Sequence, residues 1–166
     1  MREFKHPNLI EFIEIHESKN SVYLVLELLK GGELYNQVTM MKHLSIRQIQ
    51  KIMFDILSGL SHLASKGIMH RDLKLENLIL KNDTDIDGNV LKIVDFGLAS
   101  KCDVPSYLFR RCGTPGYVAP EIINSSSKDT SKFTPNVDVF SAGIIMYTIF
   151  MGQSPFTGKN FQDILE

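Results

Sequence analysis

Residues 70 to 77 read HRDLKLEN, which places an acid, a base and an amide within one short stretch. Asp95-Phe96-Gly97 follows, and Gly113 to Glu121 reads GTPGYVAPE. A carboxylate such as Asp95 and an amide such as Asn77 offer hard oxygen donors of the kind that suit Mg²⁺. A lone Asp or Asn in a loop most simply makes a turn. Three motifs in fixed order are far more specific than any one of them. Phosphoryl transfer to a hydroxyl uses such a set: a positioned acceptor, neutralised phosphate charge, and metal ions that shield developing negative charge. Glu33 and Glu76 add two carboxylates able to form charge-assisted contacts with a guanidinium.

Other candidate clusters lead nowhere. Asp83, Asp85, Asp87 and Gly88 match positions 1, 3, 5 and 6 of a calcium-binding loop, but position 12 is Val94 instead of a bidentate Glu. A polar hairpin turn between two strands explains that run better. His6, His16, His43 and His62 show no ligand spacing, and Cys102 and Cys112 form no CxxC or Cys/His metal pattern.

The elements that must position these residues can be read from periodicity. Val22 to Leu26 is a β-branched and aromatic strand, broken soon after by Gly31-Gly32, and Glu11 to Ile15 alternates as its antiparallel neighbour. Ser45 to Lys66 is the clearest helix: Ile46, Ile49, Ile52, Met53, Ile56, Leu60 and Leu63 recur along one face. Ser45 with Gln48 forms a capping box, and Gly67 suits the stop. Ile68-Met69, Leu78-Ile79-Leu80 and Leu91 to Val94 are short apolar pieces around the polar loops, and Asn124 to Lys132 reads as a loop. Val137 to Met151 is apolar on nearly every side, so a helix buried through the core is expected.

The bulk properties fit one domain or a large piece of one: 166 residues, 43% hydrophobic, 22% charged, net charge −1. That balance gives no reason to expect nucleic acid or an anionic membrane as partner. The thiol usage and the absence of a signal core or a bilayer-length stretch lead us to expect a cytoplasmic protein, with the nucleus equally open.

With the motifs in order, the chain resembles the eukaryotic protein kinases, more narrowly the serine/threonine branch that includes calmodulin-dependent kinases. The resemblance implies an α+β, protein-kinase-like fold. Residues 1–30 would be the end of the small lobe and the hinge, and 31–166 a partial, mostly helical large lobe. It implies ATP and Mg²⁺ as cofactors and protein substrates with basic residues before the Ser or Thr. Calmodulin would be a partner through a segment beyond residue 166.

Residue by residue, the resemblance makes Asp72 the catalytic base, Asn77 and Asp95 the metal ligands, and Lys74 the contact to the transferred phosphoryl that marks serine/threonine specificity. Leu26 would be the gatekeeper, Glu27 and Leu29 would offer hinge backbone to adenine, and Ile79 would form the floor. Glu33 would touch the ribose or, with Glu76, a basic substrate side chain. His70 would pack on Phe96, with Phe12 in the same spine, and Asp138 would brace the loop backbone. Phe140 stands where relatives usually carry Trp, which drops an indole donor. Thr114 would stack near Asp72 and Lys74, and Glu121 would anchor the segment through an Arg beyond residue 166.

Arg71 in this family usually meets a phosphate on the activation segment. The usual phosphothreonine position is Arg110, followed by Arg111. No activating phosphate is therefore expected there, and Ser106 or Tyr107 are the displaced alternatives. The family's Gly-rich loop, strand lysine and helix glutamate all precede the HPN motif, here His6-Pro7-Asn8, and so would lie outside these residues; Lys5 does not substitute. Two functions are open: a serine/threonine kinase whose 166-residue piece alone transfers phosphate negligibly, and a catalytically silent kinase-like binding module.

Overall fold

The structure is a computed structural model and describes residues 5–40, 44–103, 111–125, 133–157 and 163–164. Ser106, Tyr107, Arg110, most of the 124–132 run and most of residues 160–166, which read as the start of a further helix, lie outside the described residues.

Strands β1 (Phe12–Glu17) and β2 (Val22–Leu26) form an antiparallel hairpin with a bulge between Phe12 and Glu14. The hairpin carries apolar side chains on both faces and stays open to solvent: Ile13, Ile15, Val22, Tyr23 and Leu24 are all exposed. After it, Lys30 N–H donates to Lys81 O and Gly31 N–H to Leu80 O, each at 3.0 Å. The approach is so close that a Cβ on Gly31 would lie 2.2 Å from the Asn82 carbonyl oxygen. Only glycine fits there. A short helix α1 (Leu34–Met40) follows.

Helix α2 (Ile46–Ser65) has the expected cap: Ser45 Oγ accepts from Gln48 N–H at 3.2 Å while Gln48 Oε1 accepts from Ser45 N–H at 2.9 Å. It ends at Gly67, whose φ of +66° suits a residue without Cβ. Ile52, Ile56, Leu60 and Leu63 are buried and Ile49 and Met53 pack against them, but Ile46 in the first turn is exposed. The same face also buries Asp55 and Gly59. Asp55 takes the N–H of Leu91 at 2.9 Å and pairs with Lys51, so the buried carboxylate ties the helix to the strand behind it.

β3 (Ile68–Met69) pairs with β6 (Ser100–Lys101), and β4 (Leu78–Leu80) pairs with β5 (Leu91–Ile93), both antiparallel. The β4–β5 connection is the polar turn that the 83–88 run suggested. A 3₁₀ turn at Ile86–Gly88 is braced by the Asn89 amide, which donates to Asn82 O at 2.6 Å. Among the described residues no group of three or more His, Cys, Asp or Glu is placed to hold a metal ion.

The N-terminal segment belongs to this core. Leu9 is buried among residues of α2, β4 and β5 and pairs in parallel with Ile93. Asn8 Nδ2 donates to Leu91 O at 2.9 Å.

Helix α3 (Pro120–Ile123) starts with proline at its first turn, where the missing N–H costs nothing. Helix α4 (Asn136–Met151) corrects an expectation. Val137, Asp138, Ser141, Ala142, Ile145 and Ile149 are buried, but Val139, Met146, Phe150 and Met151 are exposed, so only one face reaches the core. An all-round apolar sequence shows that a helix can be covered on every side, not that each side is covered within these residues.

Candidate active site

The 70–77 loop leaves β3 and enters a 3₁₀ turn at Leu75–Asn77. Its start is held from beneath by one carboxylate. Asp138 on α4, buried, accepts the N–H of His70 at 2.7 Å and that of Arg71 at 2.8 Å, one on each oxygen. Arg71 has φ +67°, a region that non-glycine residues rarely occupy. The two hydrogen bonds hold this backbone against its local preference. Burial pushes the Asp138 carboxyl above the usual carboxylate range, and the two N–H groups pull the other way.

His70 is fully buried; its Nε2 lies 2.8 Å from Val94 O, and its Nδ1 accepts from Asp72 N–H at 3.3 Å. A ring that accepts at Nδ1 carries its proton on Nε2, which donates to Val94. Phe96 packs edge-on to the same ring, centroids 5.0 Å apart. The histidine thus ties the Asp72 loop to the strand end that delivers Asp95.

Around Asp72 the polar groups converge. Thr114 donates its hydroxyl to Asp72 Oδ1 at 2.7 Å and accepts from Lys74 Nζ at 3.0 Å. Lys74 Nζ also stands 3.4 Å from Asp72 Oδ2. Asn77 Nδ2 donates to Asp72 O at 2.8 Å. The carboxylate therefore carries a hydroxyl on one oxygen and an ammonium near the other, and remains partly exposed. Gly113 makes this closeness possible: with φ +110° it lies against Arg71, and a Cβ there would be 2.8 Å from the Arg71 carbonyl oxygen.

Asp95 is exposed, has φ +61°, and accepts Gly97 N–H on Oδ1 at 3.1 Å. Because Asn77 uses its nitrogen on Asp72, its amide oxygen is the atom left for a cation, and Asp95 keeps Oδ2. One carboxylate and one amide oxygen suit Mg²⁺, which takes few protein ligands and completes its shell with water and phosphate oxygens. Arg71 Nε donates to Leu98 O at 2.7 Å.

The nucleotide-side residues fall on the chain between β2 and β4. Leu26 ends β2, Glu27 and Leu29 follow it half-buried, and Glu33 bridges to Ile79 of β4. Glu76 is exposed and near Tyr117, since its charge and burial together push that phenol up to about 12, burial being the larger cause. Glu121 is exposed in the first turn of α3 and makes no ion pair among the described residues. Phe140 stacks with Phe156 at 6.3 Å.

Sequence reasoning missed one contact. Glu27 was read for its backbone, yet its side chain forms an ion pair with Lys92 of β5, and Oε1 also accepts Glu11 N–H at 2.8 Å. Lys92 is buried and donates a further bond to Leu9 O at 3.1 Å. A lysine inside the apolar run Leu91 to Val94 was the available signal, because a buried ammonium needs a partner.

Comparison with known proteins gives these features a context. A family model described as the protein kinase domain matches residues 1–166. The chain is 43% identical over its full length to a probable serine/threonine-protein kinase 2 of Plasmodium falciparum (isolate K1 / Thailand), covering 31% of it. It is 40% identical to calcium-dependent protein kinase 5 of P. falciparum (isolate 3D7), covering 28%. It is 36% identical to CBL-interacting serine/threonine-protein kinase 9 of Arabidopsis thaliana, where 99% of this chain covers 35% of the relative. The chain spans about a third of the length of these relatives.

Proposed function

The chain belongs to the protein kinase domain family, and from that membership we propose that it carries the phosphoryl-transfer machinery of a serine/threonine kinase acting on protein hydroxyls with Mg-ATP as donor. Residues 1–30 would supply the end of the small lobe and the hinge, and residues 31–166 part of the large lobe. The observation that carries the reading is the Asp72–Thr114–Lys74 clasp, braced by Asn77 and, through the backbone, by Asp138.

In this proposal a substrate Ser or Thr hydroxyl lies against Asp72. Its oxygen bonds the terminal phosphorus of ATP, the bond to the β-phosphate oxygen breaks, and the hydroxyl proton passes to Asp72. Thr114 and Lys74 fix the carboxylate's orientation, and the Lys74 ammonium lies where it can meet negative charge on the transferred group. Asn77 and Asp95 would hold Mg²⁺, which neutralises phosphate charge when bound. The hinge at Glu27 and Leu29, with Leu26 and Ile79, would receive adenine. Glu33 and Glu76 would select substrates with Arg or Lys before the acceptor.

We further propose that the clasp needs no phosphate on the 110 position. The Arg71 guanidinium already donates to Leu98 O, which supports a loop assembled without a phosphate ligand. Names of relatives that include calcium-dependent kinases support a calcium-linked regulator, calmodulin among the candidates. The 166-residue chain alone is expected to transfer phosphate negligibly.

Calorimetry of the purified chain with ATP, with and without Mg²⁺, tests the reading. Mg²⁺-dependent binding that is abolished by Asp95→Asn is the expected result. A folded chain that binds no nucleotide under either condition would overturn it and favour the silent binding module.

A further inference from the structure

His6 opens the segment that runs along β5, and its imidazole stacks on His62 of α2, with ring centroids 5.0 Å apart and planes 27° from parallel. Its Nδ1 accepts the Asn8 N–H at 3.2 Å, which places the ring proton on Nε2. That nitrogen faces Ser58 Oγ of α2 at 3.3 Å. His62 Nε2 is buried and has no hydrogen-bond partner among the described residues. The arrangement suits a neutral His6 ring. A proton added to His6 Nδ1 would set one donor against another and place a cation face to face with the second imidazole.

The surroundings do not compensate such a charge. Lys92 approaches from β5, and Lys5, Lys81 and Glu11 line the same cavity of about 350 Å³ beside His6. Glu11, the single acid in that lining, pairs with Lys5 at 3.6 Å, while Lys92 is neutralised by Glu27. From α2 only Ser58 and His62 face the ring through these contacts.

We propose that the His6–His62 stack is a pH-sensitive latch: at mildly acidic pH, protonation of His6 loosens residues 6–10 from α2 and β5, and with them the tether of the β1–β2 hairpin. The segment is bound to the core through a few identifiable contacts. Ile10 N–H donates to Ile93 O at 3.0 Å, Ile93 N–H to Asn8 O at 2.9 Å, and Leu9 is buried between α2 and β5. Releasing the ring strains each of these in turn. The device is separate from the phosphoryl-transfer reading and stands whether or not the chain binds nucleotide.

Burial first, then His62 and Lys92, lower the His6 value below the ordinary 6.5. The unfolded chain therefore binds this proton more readily than the folded one. The latch's contribution is complete above pH 6.5 and declines as pH falls below it, levelling off beneath the folded-state value.

The test is NMR on the labelled 166-residue chain between pH 7.5 and 5, following the His6 ring signals and the exchange protection of the Ile10 and Ile93 amides. Expected is a His6 midpoint below 6.5, with protection of both amides, corrected for intrinsic exchange, falling between pH 6.5 and that midpoint while Ile56 in mid-α2 keeps its own. His6→Asn keeps an acceptor for the Asn8 N–H and removes the titration, so protection should become independent of pH. A midpoint at or above 6.5, equal loss in His6→Asn, or loss spread evenly through α2 would overturn the latch. Should His6→Asn fail to fold, the wild-type titration decides alone: a loss of protection confined between pH 6.5 and the His6 midpoint supports it, and a loss outside that window sinks it.

Discussion

Replacing Asp138 with Asn isolates the support beneath the 70–77 loop, because the side chain keeps its size and loses one acceptor and its charge. The carboxylate accepts two backbone N–H groups, at 2.7 and 2.8 Å, in a site where the residue is 2% exposed. Hydrogen bonds to a charged acceptor contribute about 2 kcal/mol each, so the pair contributes about 4 kcal/mol. Asn can keep one, now to a neutral oxygen and contributing about 1 kcal/mol, while its NH₂ faces the other N–H. The difference is about 3 kcal/mol, and relief from burying a carboxylate reduces it to about 2 kcal/mol. Urea unfolding at pH 7, followed by circular dichroism, should show a lower midpoint at unchanged slope. The pH dependence gives an independent check. Burial raises the Asp138 value in the fold from the ordinary 3.8, so the folded chain holds that proton more tightly than the unfolded one. The wild-type contribution falls as pH rises from 3.8 through the raised value, and Asp138→Asn lacks that slope. A variant within about 0.5 kcal/mol of wild type at pH 7, which is the range of an ordinary surface substitution, would refute the reasoning.

The Glu27–Lys92 pair and Cys112 give further checks. Glu27→Gln strands the buried Lys92 ammonium and should cost about 3 kcal/mol in urea unfolding, whereas Glu27→Gln combined with Lys92→Met should recover most of it; equal losses in the single and double variants would show that the pair is not the cause. Burial, with Asp72 and Asp138 adding to it and Arg71 opposing, pushes the half-buried Cys112 thiol above the ordinary 9.0. Its alkylation at pH 7.5 should be slower than that of a cysteine peptide, rising steeply only above pH 9.0; a rate equal to the peptide's would contradict this. The same shift makes the fold lose stability as pH climbs past 9.0, because the unfolded chain releases that proton first.

Local rules carried a large part of the fold. The capping box at Ser45, the glycine stop at Gly67 and the β1–β2 pairing follow from short-range hydrogen bonding and side-chain period, which neighbouring residues fully specify. The polar 83–88 turn was also legible, because the missing twelfth ligand removes the alternative. Periodicity was less secure at element ends: Ile46 lies on the apolar stripe yet is exposed, at the very start of α2.

The residue types of the candidate site were likewise present in the chain's order, as HRDLKLEN, DFG and GTPGYVAPE. Their meeting was not. Thr114 reaches Asp72 across 42 positions and Asp138 reaches the Arg71 backbone across 67, distances over which no helical or strand period carries information. The same holds for Lys92 with Glu27 and for His6 with His62, where a charge or a ring finds its partner only when separate elements pack. Sequence alone thus determined the longer elements and which chemistry-bearing side chains are available, while the short α1, α3 and β6 were not legible in it. The tertiary structure decided which of them touch, because burial couples residues by proximity in space and makes an unpaired polar group costly wherever the chain happens to bring it.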